Sequence, residues 1–322
     1  MALNDLVYRG KTEMVRGKAL KFGDTIGVVA PASPTPKERV KLAQEQLEVL
    51  GFKVKMGKSC YAARGYLSGS DKSRAEDLNQ MFMDPAVDGI MCLRGGYGTP
   101  KILNLLDYNM IRNNPKVFIG YSDITTIHTA IQQKCELITF HGPMASSDLA
   151  DGIDDFSKNS LLKAVMQPEP MGDIQNPHGE VVQCLKEGKA EGQLIGGNLA
   201  LIAATMGTPY EINTKGKILF LEDIGEEPYR VDRMLTQLAL AGKFEDAAGI
   251  ILGDWNDCEP KNPLESLSLI EVFEEILLPY QKPTVLNFKI GHCTPKITVP
   301  IGVNALLDAG QRKLIITEAA VQ

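Results

Sequence analysis

A chain of 322 residues that is 44% hydrophobic and 23% charged can bury a large core, and its length fits two domains of roughly 100–200 residues each. Its formal net charge of −6 offers no basic stripe for a phosphate backbone and no attraction to an anionic membrane surface, which argues against nucleic-acid and membrane partners. Six cysteines, Cys60, Cys92, Cys135, Cys184, Cys258 and Cys293, are scattered with no C-x-x-C pair and no zinc-ligand spacing, as expected of free thiols in a reducing compartment.

The amino terminus, MALNDLVYRGKTEMVRGKALKFGD, is broken by charges every few residues. It lacks the apolar core of a signal peptide, and no later run reaches membrane-spanning length, so a cytoplasmic location is expected. The stretch TIGVVAPAS (25–33) reads as a buried strand that ends in a Pro-rich turn. PKERVKLAQEQLEVLG places Val40, Ala43, Leu47 and Leu50 at helical spacing and stops at Gly51. FKVKM then reads as a strand, followed by a helix near 71–83, a strand GIMCLR (89–94), a helix near 100–107, the strand KVFIG, a helix over 123–134, and LITFHG (137–142). Strands separated by helices of this length require parallel crossovers, so residues 20–150 are expected to form a doubly wound α/β domain. Ligands in such sheets bind beyond the carboxyl ends of the strands.

Residues 151–189 lose this rhythm in DGIDDFSKNS, one short helix and MQPEPMGDIQNPHGE, and read as a linker. Beyond them, EGQLIGGNLALIAATMG, KILFLEDI, GIILGDW, TVLNF and NALLDAGQRKLIITE supply irregularly spaced strands, with helices near 228–242 and 265–278. A second domain, mixed α/β or barrel-like, is expected over 190–322.

The stretch KVFIGYSDITTIHTA drives an apolar strand into Gly120 and Ser122 just ahead of a helix. That is the layout of a nucleophile elbow, although Ile124 stands where G-x-S-x-G has its second glycine. Helix capping by Ser122 or Asp123 explains the same residues equally well. Of the four histidines, His128 lies within the helix and reads as a packing residue, and His178 reads as solvated linker. His141, at the end of the adjacent strand, and His292, in the Gly- and Pro-bounded loop FKIGHCTPKITVP, are both candidate bases, and the residues alone favour His292 only slightly. Glu222 closes the apolar strand KILFLEDI and is the candidate orienting carboxylate, whereas Glu226 and Glu227 fit the first turn of the next helix, where the dipole favours acids. CLRGGYGTP matches neither dinucleotide nor P-loop patterns. The amides of Gly95 and Gly96, with that of Asp123, could instead form an oxyanion hole. Arg94, directly ahead of Gly95, and Arg230 and Arg233, near the start of the helix after Glu222, are the basic residues nearest these candidates in sequence and could hold an anionic group of a ligand.

Taken together, GVVAPASP, RGGYG, IGYSD, HGP, GGNLALI, LEDIGEEPYRVDRML and GHCTPKITVPIGVNALLDA resemble the serine LD-carboxypeptidases, or muramoyltetrapeptide carboxypeptidases, over residues 28–309. The resemblance implies a flavodoxin-like parallel-sheet domain carrying the serine and a smaller, swivelling-barrel-like domain carrying the glutamate and histidine. It also implies a homodimer, with no cofactor and no metal. Carried onto this sequence, the catalytic residues are Ser122, Glu222 and His292, acting through an acyl-enzyme. The implied reaction releases terminal D-alanine from cytoplasmic muropeptide tetrapeptides during peptidoglycan recycling. A sub-branch of the family cleaves microcin C-type aminoacyl-nucleotide antibiotics instead and is marked by an aromatic that stacks on the nucleobase. The single tryptophan, Trp255, reads as a packing residue at a strand end.

Overall fold

A computed structural model describes residues 14–322. The charged stretch up to residue 13, part of the argument against a signal peptide, lies outside the described residues. The chain runs β1 (Thr25–Val29), α1 (Lys37–Val49), β2 (Lys53–Met56), α2 (Asp71–Met83), β3 (Gly89–Cys92), α3 (Tyr108–Asn113), β4 (Val117–Gly120), α4 (Thr125–Cys135), β5 (Thr139–His141) and α5 (Asp155–Met166). It continues through β6 (Gly172–Ile174), β7 (Gln183–Lys186), β8 (Lys189–Asn198), α6 (Leu199–Ala204), β9 (Ile218–Ile224), α7 (Pro228–Leu240), α8 (Lys243–Asp246), β10 (Gly249–Asn256), α9 (Leu269–Leu277), β11 (Thr284–Leu286), β12 (Val299–Ile301), β13 (Asn304–Asp308) and β14 (Lys313–Ile316).

The sequence patterns explain most of these elements. The helix α1 buries Val40, Ala43 and Leu47 on one stripe, and Gly51 behind it takes the left-handed conformation that ends it. Ser70 caps α2 by accepting from the Ser73 amide. The expected helix near 100–107 is instead a short tight coil, Thr99–Leu105. Chain direction then resets at Asp107, whose side chain accepts from the Met110 amide and starts α3.

Two sheets organise the molecule. The first has the order β12-β5-β4-β3-β1-β2, with its five early strands parallel in the doubly wound order 2-1-3-4-5. The second is mixed and eight-stranded, in the order β6-β14-β13-β8-β9-β10-β11-β7, with β8 to β11 parallel. The stretch 151–189 holds α5 and the strands β6 and β7, which form opposite edges of this second sheet. Edge strands of three or four residues carry too little apolar alternation to stand out from Pro- and Gly-rich turns.

Strand β12 crosses back from the carboxyl-terminal half and pairs antiparallel with β5, Val299 opposite His141. Its return draws the preceding loop, which carries His292, to the carboxyl ends of β4 and β5. One continuous core accordingly runs through both sheets, from Val28, Met91 and Ile119 through Phe140 and Val299 to Phe220, Ile251 and Ile290. Among the described residues, no helix is long and apolar enough to cross a membrane.

Candidate active site

Strand β4 is buried throughout and ends at Gly120. Tyr121 remains extended, and Ser122 then takes φ +63°, a left-handed conformation that costs an L-residue about 1–3 kcal/mol. The chain enters α4 three residues later, at Thr125. Gly120 explains why Ile124 is tolerated in the elbow: a Cβ on Gly120 would lie 3.0 Å from the Ile124 side chain, so the turn's close approach needs only that one glycine.

The R-G-G-Y-G turn lies directly against the serine. A Cβ on Gly95 would stand 2.9 Å from Ser122 Cβ, 3.0 Å from its Oγ and 3.5 Å from the Asp123 amide nitrogen. Ser33 staples this turn in place, donating its amide to the Gly95 carbonyl and accepting from the Tyr97 amide. Gly96, at φ +110°, presses on Ser33 rather than Ser122. The Asp123 carboxylate is buried and accepts from the Thr99 amide at 2.8 Å, tying the elbow to the end of the glycine turn. Burial pushes the Asp123 carboxyl above the usual carboxylate range, an effect its hydrogen bonds from Thr99 oppose.

The second sheet supplies the facing half. Strand β9 buries Ile218 to Leu221 and delivers Glu222 with no exposure at all. Glu222 Oε2 accepts from His292 Nδ1 at 2.7 Å and from the His292 amide at 3.3 Å. Gly291, at φ +117°, makes room: a Cβ there would stand 2.7 Å from Glu222 Cγ and collide with the carboxylate. With Nδ1–H donated to the carboxylate, Nε2 is left as the accepting nitrogen. The Tyr121 ring lies 4.9 Å from the imidazole at an interplanar angle of 61°. The residue directly before Ser122 therefore touches His292. Ser122 Oγ makes no hydrogen bond to the imidazole in this structure, and such contacts commonly tighten only when substrate is bound.

Asp223, next to Glu222, builds the seam between the sheets. It accepts from Asn198 Nδ2 and the Ala200 amide, and Asn198 in turn donates its amide to Thr125 Oγ1 at the start of α4. Burial, reinforced by the neighbouring Glu222 charge, raises the Asp223 carboxyl to about 6.

The other candidates fall outside this pair. His141 is fully enclosed against the Tyr121 and Phe220 rings, and neither ring nitrogen has a hydrogen-bond partner. Burial holds it well below the ordinary histidine range. His128 packs inside α4 with both nitrogens satisfied, by Thr139 Oγ1 and the Gly120 carbonyl, and His178 is exposed. Cys293 adjoins His292, but burial pushes its thiol up to about 12, so it is no thiolate. Trp255 packs on Phe273 at 4.9 Å.

Arg94 is half-buried beside Gly95 and donates to the Pro34 carbonyl at 3.2 Å. Its Nε is buried without a partner. Arg230 is exposed and occupied with Glu226 and the Tyr229 hydroxyl, and Arg233 is exposed. The helix α7 starts at Pro228, so Glu226 and Glu227 precede it. Glu227 pairs with Lys261. Residue-level reading of the sequence missed Tyr121, Asp148 and Lys296, which interlock beside His292. The one available signal was Lys296 standing four residues after the histidine in a Pro-bounded loop.

A serine on a strained strand-to-helix turn, with a loop histidine bound to a carboxylate of the second sheet and packed on the residue before the serine, is an arrangement of the serine-hydrolase class. Comparison with known proteins narrows the class. The LD-carboxypeptidase N-terminal domain model matches residues 26–142 and the LD-carboxypeptidase C-terminal domain model residues 191–307. The chain belongs to the LD-carboxypeptidase family. It is 46% identical over 306 residues to a probable murein peptide carboxypeptidase of Bacillus subtilis, covering 94% of each chain. Among solved structures it resembles MccF in complex with glutamyl sulfamoyl guanosine, with a TM-score of 0.89, 29% identity, and 95% of this chain and 99% of that one covered. It also resembles a muramoyltetrapeptide carboxypeptidase from Oxalobacter formigenes, with a TM-score of 0.80, 28% identity, and 92% and 99% covered.

Proposed function

We propose that this peptidase is a serine LD-carboxypeptidase that releases the terminal D-alanine from muropeptide tetrapeptides in the cytoplasm, as a step in peptidoglycan recycling. The observation that carries the mechanism is the Glu222–His292 bond standing against Tyr121, one residue from the strained Ser122. The 46% identity to the Bacillus subtilis probable murein peptide carboxypeptidase supports the substrate class.

In this reading Ser122 Oγ attacks the scissile carbonyl carbon while His292 Nε2 takes its proton. Glu222 holds the imidazole in the Nδ1–H tautomer and stabilises the imidazolium. The amides of Gly95, Gly96 and Asp123 face the developing oxyanion. Of these, Gly95 and Asp123 have the closer support, because the Gly95 turn lies on Ser122 whereas Gly96 faces Ser33. His292 then returns the proton to the leaving amine of D-alanine as the C–N bond breaks. Water attacks the resulting ester by the reverse route, restoring Ser122. No step calls for a metal or cofactor.

Arg94 is the preferred partner for the terminal carboxylate, since it flanks Gly95 and has a buried, unpartnered Nε. Arg230 and Arg233 lie on the solvent side of α7 and follow it in order of preference. In this reading residues 20–150 carry the nucleophile, and 190–322 carry its base and orienting acid. A homodimer is the assembly expected from the family.

The fold likeness to MccF favours a second reading, an immunity-type peptidase for aminoacyl-nucleotide antibiotics. Mass spectrometry of the protein incubated with a muropeptide tetrapeptide and, separately, with an aminoacyl sulfamoyl adenosine separates the two. Cleavage of the tetrapeptide, weakened at least tenfold by amidating its terminal D-alanine, supports the carboxypeptidase. Cleavage of the nucleotide adduct alone, or indifference to amidation, transfers the assignment to the second reading.

A further inference from the structure

Lys296 lies four residues beyond His292 and is almost fully buried. Its ammonium donates to the Tyr121 hydroxyl at 2.9 Å, pairs with Asp148, and stands 4.1 Å from the centroid of the Tyr121 ring. The Tyr121 hydroxyl in turn donates to Asp148 at 3.2 Å, closing a triangle. Burial pushes the Tyr121 phenol up, so it stays protonated and able to donate. Asp148 is itself held by the Met144 amide at 2.8 Å. The backbone around the lysine is pinned to α5, with the Lys296 amide on Ser157 Oγ and the Thr298 amide on Ser160 Oγ.

The Tyr121 ring is thus gripped by Lys296 and by the His292 imidazole, two side chains of one loop. Tyr121 is also the residue whose extended backbone sets Ser122 into its left-handed turn. The loop that carries the base therefore holds the residue that places the nucleophile. Stability alone does not ask for a charge here, since a buried ion pair can commonly be replaced by apolar groups of similar volume without loss.

We propose that Lys296 is a positioning residue for the hydrolysis, acting through Tyr121 to fix the separation of Ser122 from His292. The inference rests on reading those two residues as nucleophile and base.

The test uses the full chain with Lys296→Met, Lys296→Arg, the double variant Lys296→Met with Asp148→Asn, which leaves no unpaired buried carboxylate, and Tyr121→Phe with and without Lys296→Met. Each is read by kcat and KM on the tetrapeptide, by the rate at which a serine-directed phosphonate labels Ser122, and by thermal unfolding. Both Lys296→Met variants should lose at least tenfold in kcat and in labelling rate with KM changed less than threefold, and Lys296→Arg should recover part of the loss. In a Tyr121→Phe background the loss on adding Lys296→Met should be markedly smaller, because the latch is already weakened. A folded double variant with kcat and labelling within threefold of the wild type would overturn the proposal, as would a loss confined to KM or to unfolding temperature. If wild type labels at Ser122 but leaves the tetrapeptide intact, the substrate reading has failed, and the labelling rates still decide the role of Lys296.

Discussion

Replacing Gly95 by alanine should separate the chemistry of the site from the stability of the fold. Gly95 does not have the positive φ of its neighbour Gly96, so an alanine meets no backbone strain there. Its methyl would nevertheless stand 2.9 Å from Ser122 Cβ and 3.0 Å from Ser122 Oγ. Carbon contacts are comfortable only from about 3.5 Å, so the turn and the serine must part by roughly half an ångström. A misplacement of about 1 Å at a reacting centre can cost about 10²-fold, and loss of one oxyanion donor costs about 10²- to 10³-fold. The expected result is a fall in kcat on the order of 100-fold, equivalent to about 2.7 kcal/mol of transition-state stabilisation. The unfolding temperature should move by no more than about 4 °C, the shift that about 1 kcal/mol produces in a domain of this size class. Steady-state kinetics on the tetrapeptide and a thermal melt of the same preparation measure both. A Gly95→Ala enzyme with kcat within threefold of wild type would mean that the glycine turn does not form part of the oxyanion site. A collapse in unfolding temperature would refute the argument that the backbone accepts a side chain there.

Substituting Ser122 or His292 by alanine should lower kcat by several orders of magnitude, and Glu222→Ala somewhat less, because the members of such a triad act as a unit. His141→Ala should retain far more activity, and the reverse ranking of the two histidines in the same assay would reassign the base. Prolonged chelation should leave activity unchanged while a phosphonate labels Ser122; activity lost to chelator and restored by zinc would refute the serine mechanism. Burial lowers His128 to about 4 from its ordinary 6.5. Between those values the unfolded chain binds a proton that the folded chain refuses, so stability is full above pH 6.5 and falls as the pH drops towards 4, by about 3 kcal/mol. Urea midpoints across this range should show a shallower pH slope for His128→Gln than for wild type. His141 pulls in the same direction, and Asp223, whose raised carboxyl favours the fold at low pH, pulls in the other. An unchanged slope in the variant would show that His128 titrates normally in the folded state.

Much of this molecule is legible along the chain because the relevant forces are local. Alternating apolar strands and amphipathic helices up to LITFHG announce the parallel sheet, since a buried parallel strand must be apolar on both faces and its crossover helix on one. The elbow at Ser122 is announced by an apolar strand, a glycine and a helix start, and Glu222 by an apolar strand that ends in acid. The motif resemblance adds His292, which spacing alone barely separates from His141. What the chain order conceals is decided across distance. The edge strands β6 and β7 are too short and polar to show a pattern by themselves and exist because the second sheet offers them hydrogen-bond partners. Strand β12 leaves its sequence neighbours to pair with β5, and only that crossing brings the His292 loop to the carboxyl ends of the first sheet. The partnership of Glu222 with His292 spans 70 residues, and that of Lys296 with Tyr121 spans 175. Local preference can nominate such residues, but packing two sheets on one continuous core sets the distances between them, and at a catalytic site those distances decide the chemistry.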